Sequence, residues 1–142
     1  MAERSSIEWT DATWNPVRGC SIVSPGCTNC YAMRQAHRFS GKGKPYFGLT
    51  EMSKGGPVWT GSILCDETLL DWPLHRRKPL RIFVNSMSDL FHEDVPDEFI
   101  TKVFITMALA KRHVFQILTK RPQRMHRYLT EVRVLRFGES TM

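Results

Sequence analysis

Apolar and polar positions along the chain fall into short blocks whose period switches between two and about 3.6. Ile7-Glu8-Trp9-Thr10 alternates apolar with polar and predicts a short strand. Asn15 to Asn29 is punctuated by Pro16, Gly19, Pro25 and Gly26 and reads as a loop. In Tyr31 to Phe39 the residues Ala32, Met33, Ala36 and Phe39 share one helical face, and Gly41 and Gly43 end the run. Residues 40–57, rich in Gly, Lys and Pro, read as a flexible connection, and Val58 to Leu64 as a second strand. Asp66 is placed to cap a helix that turns Leu69, Leu70 and Trp72 inward, with Pro73 limiting its length. Leu80 to Val84 is the third strand, and its three consecutive large apolar residues suit a strand covered on both faces. Asp94 reads as an N-cap, followed by Pro96, Asp97 and Glu98 in a first helical turn and by Ile100, Val103, Phe104 and Met107 at helical spacing. Val114 to Leu118 is the fourth strand, and Pro122 opens a last helix through Leu129.

The order is a strand, a loop and a helix, four times over. It predicts an α/β fold with a parallel sheet and right-handed crossovers, either open or an arc of a β/α barrel. Each strand is followed by polar residues: the cysteine loop, then Cys65 and Asp66, then Asn85-Ser86-Met87-Ser88-Asp89, then Thr119-Lys120-Arg121. The C-terminal ends of parallel strands converge on one rim, where sites are built, although each of these residues taken alone also suits a cap or turn.

With 142 residues the chain is one domain or part of one. Its 42% hydrophobic and 11% aromatic content excludes intrinsic disorder. The net charge of +6 is unevenly placed: residues 1–110 sum to zero, and residues 111–142 hold eight basic and two acidic residues. That distribution argues against a uniformly basic nucleic-acid-coating protein. Residues 1–6 have no apolar core of a signal peptide, and no apolar run approaches the ~20 residues of a membrane span, so a cytoplasmic protein is expected.

In a reducing compartment four cysteines point to ligands or core residues rather than disulfides. Cys20, Cys27 and Cys30 form a Cys-x6-Cys-x2-Cys loop, a spacing that lets three thiolates converge on one metal centre. Three readings stay open: structural zinc with His37 or Cys65 as fourth ligand, an iron–sulfur cluster with one open iron, or unrelated buried thiols. Cys65 better suits a small core residue, and His37 a helix flank. His92, among Glu93, Asp94, Asp97 and Glu98, is a weaker metal candidate in a stretch that helix capping explains.

A strand, a three-cysteine loop, a helix and further βα units resemble the radical S-adenosylmethionine (SAM) superfamily, whose first cysteine gap is three residues where this chain has six. A closer resemblance, over about residues 6–130, is to a phage and prophage family of radical-SAM-like proteins of unknown function. It is carried by Ile7 through Pro16, Gly19-Cys20, Pro25-Gly26-Cys27, Asn29-Cys30-Tyr31-Ala32, Asn85 through Phe91 and Leu118 through Pro122. Some of its members are neighbours of a three-Cys-motif partner protein.

The resemblance implies a 4Fe-4S cluster on Cys20, Cys27 and Cys30. SAM would chelate the open iron, and its reductive cleavage would start radical chemistry on an unknown substrate, with an external electron donor. Asn85, Ser86, Ser88 and Asp89 would meet the ribose or amino group of SAM, and Lys120 and Arg121 a carboxylate or phosphate. The setting would be the cytoplasm of a bacterial or phage-infected cell. About four units of a six-unit arc are legible, so a single, incomplete domain, a partial β/α barrel over residues 1–142, is expected. Residues 130–142 form an atypical tail, with Val132 to Phe137 as a candidate fifth strand, and the chain reads as a C-terminally truncated member. The competing class is a zinc-stabilised nucleic-acid-binding module without catalysis. Its phosphate contacts would be Arg76, Arg77, Lys78 and Arg81, then Lys120, Arg121, Arg124 and Arg127, with Arg133 and Arg136.

Overall fold

The structure, a computed structural model, describes residues 7–22 and 31–140, with the backbone alone from residue 132. Its elements are β1 (Ala12–Trp14), β2 (Val17–Arg18), α1 (Tyr31–Arg38), β3 (Thr50–Ser53), β4 (Gly56–Trp59), β5 (Leu64–Cys65), β6 (Arg81–Val84), α2 (Asp97–Leu109), β7 (Val114–Ile117) and α3 (Pro122–Ser140). Two 3-10 turns, Glu67–Leu69 and Trp72–His75, lie between β5 and β6. The fold is mixed α/β with small sheets, none of them closed among the described residues.

The main sheet has the order β1-β6-β7, all parallel. Its middle strand is the one whose apolar run is unbroken: Ile82, Phe83 and Val84 are all buried. Ala12 pairs with Ile82 on one side, and Phe115 pairs with Ile82 on the other. One apolar cluster gathers Trp14, Ile82, Val84, Phe91, Ile100, Val103 and Tyr128 from the sheet, the β6–α2 connection, α2 and α3. A smaller one gathers Ala32, Met33, Ala36, Leu49, Trp59 and Met87 from α1, the β3–β4 hairpin and the β6 exit.

Several elements differ from the sequence expectation, each for a physical reason. Ile7 to Thr10 is a turn, closed by the Thr10 N–H on the Ile7 carbonyl, and the first strand starts at Ala12. The pairing is decided there because Trp14 is fully buried whereas Trp9 is 40% exposed. Asp11 fixes the register, since its carboxylate accepts from both the backbone and the guanidinium of Arg81. Residues 40–57 hold most of a β-hairpin, in which Thr50 pairs with Trp59 and Ser53 with Gly56. Lys54-Gly55 forms its two-residue turn, and Gly56 opens the second strand at φ 113°. The expected second strand is split between β4 and β5 and lies outside the parallel sheet.

Asp66 does cap, accepting from the Thr68 N–H, but the segment it opens is a 3-10 turn. Phe39 lies beyond the end of α1 and is 45% exposed. Asp94 is not a helix cap: α2 starts at Asp97 with Pro96 before it, and the Asp94 N–H donates to His92. The acidic first turn of α2 stands as expected. The expected fifth strand is the continuation of α3, whose backbone is helical to Ser140. No described helix is long and apolar enough to cross a membrane.

Ile82→Ala should cost about 2–5 kcal/mol, because a fully buried central-strand side chain leaves a cavity. Ile105→Ala, at a half-exposed site on α2, should stay within about 0.5 kcal/mol. Urea midpoints of the two variants check the contrast.

Candidate ligand cleft at the strand exits

Because β1, β6 and β7 run parallel, their exits share one rim, and side-chain hydrogen bonds lace those exits together. Asn85 follows β6 at φ 57°, a left-handed conformation that asparagine tolerates better than most residues. Its N–H donates to the Trp14 carbonyl at 2.7 Å, and its Oδ1 accepts from the Val17 N–H at 3.1 Å. That leaves the buried Nδ2 with no hydrogen-bond partner among the described residues. Asn15, after β1, accepts from the Ser86 hydroxyl and the Met87 N–H. The Ser88 hydroxyl donates to the Val17 carbonyl at 2.7 Å.

Asp89 joins β6 to β7. Its buried carboxylate accepts from the Thr119 hydroxyl at 2.8 Å, the Lys120 N–H at 2.9 Å and Arg121 Nη1 at 3.2 Å, and from the Phe91 N–H on its own strand exit. Arg121 is the hub of the polar network. Its Nε donates to Glu93 at 2.7 Å, its Nη2 to the Ser21 hydroxyl at 3.2 Å, and its Nη1 lies 3.8 Å from Cys20 Sγ.

Cys20 reaches this point through Gly19, which forms a parallel bridge with Ser88 at φ 91°. A Cβ at Gly19 would run into the Ser62 carbonyl, so the approach requires glycine. Burial pushes the Cys20 thiol above its ordinary value, and the Arg121 guanidinium pulls the other way.

His92 sits beneath the network, 2% exposed. Its Nδ1 accepts from the Asp94 N–H at 3.1 Å, so the ring proton is on Nε2, which donates to Ser21 Oγ at 2.7 Å. Both nitrogens are spent. The ring therefore neither accepts the Ser21 proton as a general base nor offers a lone pair to a metal. Glu93 and Asp97, which flank it in sequence, bind Arg121 and Arg124 instead.

These exits enclose a cleft of about 300 Å³. Its apolar walls are Ala32, Trp59, Phe83 and Leu118. Asn85, Ser86, Ser88, Asp89, Lys120 and Arg121, the six residues marked from the sequence as cofactor contacts, all line it. Cys20 and Ser21 complete the polar side. Cys27 and Cys30 lie outside the described residues. Cys65 packs against the main apolar cluster, and His37 Nδ1 is hydrogen-bonded to Thr50 Oγ1. Ser21, Trp59 and the role of His92 are absent from the sequence reading. They reach the cleft only through long-range packing, although the adjacency of Ser21 to Cys20 was a usable signal.

The cations proposed as a nucleic-acid face are partly spent as well. Arg81 pairs with Asp11, and Arg124 with Asp97 and the carbonyls of His92 and Val95. Arg76 stacks on Trp72 at 4.7 Å. The side chains of Arg133 and Arg136 lie outside the described residues.

Over residues 4–137 the chain matches a family described as protein of unknown function (DUF5131), and it belongs to that family. No curated protein and no solved structure matches it.

Asp89→Ala should destabilise the protein by about 3–5 kcal/mol, because it removes the acceptor of the Phe91, Thr119 and Lys120 donors and one of the two carboxylates that pair with the nearly buried Arg121. A double-mutant cycle with Arg121→Ala in denaturant should give a coupling energy clearly above the error. His92 is held below its ordinary value of 6.5, by burial first and Arg121 second, against Glu93, Asp94 and Asp89. Its folded form therefore resists protonation more than the unfolded chain does. Its contribution should be complete above pH 6.5 and lost as pH falls through and below that value. Melting temperatures of wild type and His92→Asn between pH 8 and 5 should show a shallower acid decline in the variant.

Proposed function

We propose that this member of the DUF5131 family is a radical-SAM-type protein in which Cys20, Cys27 and Cys30 hold a 4Fe-4S cluster and the cleft receives SAM. One observation carries the reading: Cys20 and six expected cofactor contacts, drawn from separate strand exits, line a single cleft. Asn85 Nδ2, without a partner among the described residues, and a half-buried thiol beside a guanidinium suit a cleft built around a bound group. When bound, the cluster and SAM would supply reductive cleavage of SAM and radical chemistry on a substrate.

The chain's own residues have defined tasks in this reading. Arg121 places a cation beside the Cys20 sulfur, which favours the thiolate that a metal requires. Asp89 and Glu93 balance that cation and hold its fork in place. Ala32, Trp59, Phe83 and Leu118 keep the cleft wall apolar, which limits water around reactive species. In this reading the three parallel strands β1-β6-β7 belong to the arc of a partial β/α barrel that would hold its cofactors at the C-terminal strand ends. A cytoplasmic setting keeps the three thiols reduced. The partners are an electron donor, an unidentified substrate and, by family resemblance, a three-Cys-motif partner protein.

The zinc-stabilised nucleic-acid module needs cations gathered on one face. Arg81, Arg121 and Arg124 are each paired with a carboxylate instead, which favours the cofactor reading.

Anaerobic reconstitution with iron and sulfide should give a brown protein with about four irons and four sulfides per chain. Cys20→Ala should abolish the cluster, and SAM should perturb the EPR signal of the reduced cluster. One zinc per chain with no sulfide would overturn the reading.

A further inference from the structure

The polar groups of the cleft can be balanced donor against acceptor. Both Asp89 oxygens are occupied by Thr119, Lys120 and Arg121. The hydroxyl protons of Ser86 and Ser88 are spent on Asn15 and the Val17 carbonyl. Asn85 Oδ1 is engaged by the Val17 N–H, which also fixes which end of the amide is nitrogen. Of the buried side-chain polar atoms that line the cleft, Asn85 Nδ2 has no acceptor among the described residues: two N–H donors on a residue 2% exposed. A buried amide in that state is unfavourable unless something completes it. It is also held rigidly, by the Trp14 carbonyl through the backbone N–H and by Val17 through Oδ1.

We infer that Asn85 is the specificity-determining residue of the cleft, its amide donating to a hydrogen-bond acceptor on a small ligand that also presents a flat or apolar face. The acceptor is a carbonyl, carboxylate or ring-nitrogen atom, and that face fits the walls formed by Trp59, Phe83 and Leu118. The inference deepens the proposed function and rests on the cleft being its SAM site. It changes the expected contact: with Oδ1 occupied, the free amide end can only donate. Asn85 therefore meets an acceptor atom of SAM, and not its ammonium group.

The test is calorimetric titration of the anaerobically reconstituted full chain with SAM, adenosine and L-methionine, on wild type, Asn85→Asp and Asn85→Gly. Aspartate keeps the acceptor for Val17 and tolerates the positive φ, but it replaces the donor with an acceptor. Glycine keeps the φ and removes both groups. The expected result is that Asn85→Asp folds with a lowered melting temperature, because its second oxygen is buried without a donor, and binds SAM at least about tenfold more weakly. Asn85→Gly should also lose SAM affinity. Unchanged or tighter SAM binding by Asn85→Asp overturns the inference and leaves the SAM reading standing. If wild type binds adenosine or L-methionine but not SAM, and Asn85→Asp weakens that binding, the inference stands and the SAM reading falls. If wild type binds none of the three, both fall. Should Asn85→Asp fail to fold, the side-chain NH2 resonances of Asn85 in the wild type decide. A downfield shift with the bound probe supports the contact, and unmoved resonances overturn it.

Discussion

The carboxylate of Asp89 is the constraint on which the rim of the sheet depends. It is 5% exposed and accepts hydrogen bonds from both strand exits it touches, through Phe91 on its own side and Thr119, Lys120 and Arg121 on the other. A buried carboxylate is tolerable only when its oxygens are satisfied and a cation is near, and here both conditions are met by one neighbouring loop. β6 and β7 are hydrogen-bonded neighbours over four residues, but a short ladder does not fix where the loops beyond it go. Asp89 does. Through Arg121 the same charge reaches Ser21 and Cys20, so these two residues take their position in part from a group on the β6 exit.

This arrangement changes the meaning of the chain's basic balance. Charge counted along the sequence places an excess of six positive residues after residue 110. In space, two of those cations act inside the fold. Arg121 neutralises Asp89 and Glu93, and Arg124 bonds the carbonyls of His92 and Val95 together with Asp97. The acidic partners come from residues 89–97, within the first 110 residues that balance to zero by count. The basic segment is thus in part the counter-charge of an acidic loop. A guanidinium is suited to that task, since its fork satisfies several oxygens at once.

What the sequence disclosed tracks how strongly local pattern and burial agree. The apolar run at Ile82 to Val84 and the periodic face at Ile100 and Val103 were legible, because both elements are buried on the faces their patterns predict. Ile7 to Thr10 misled because alternation also occurs in turns, and the competing Ala12 to Trp14 has no alternation, being buried throughout. The hairpin at residues 50–59 was hidden because its strand residues are mostly exposed and polar, leaving only Gly55-Gly56 as a signal. Val132 to Phe137 carries strand-like residues inside a helix, a case of context overriding propensity. The cleft residues after β6 and β7 were legible for a topological reason: parallel strands bring their exits together whatever the side chains are. Ser21 and His92 were not, since a hydrogen bond spanning 71 residues leaves no local trace.

The cleft also lies where the two apolar clusters meet, with Phe83 from the main sheet on one wall and Ala32 and Trp59 from the smaller cluster on the other. Its width therefore depends on what joins the clusters, and the joint is built from residues 16–19 and 62–66. Val17 pairs with Cys65, and the Asp66 N–H donates to the Pro16 carbonyl. Arg18 salt-bridges Asp66, donates to the Pro45 carbonyl and lies over the Tyr46 ring. Gly19 admits the Ser62 carbonyl at a distance no side chain allows. Cys20 is the next residue. The first cysteine of the loop thus leaves the chain at a tightly constrained joint, and a group bound to its sulfur would inherit that position before the rest of the loop contributes anything.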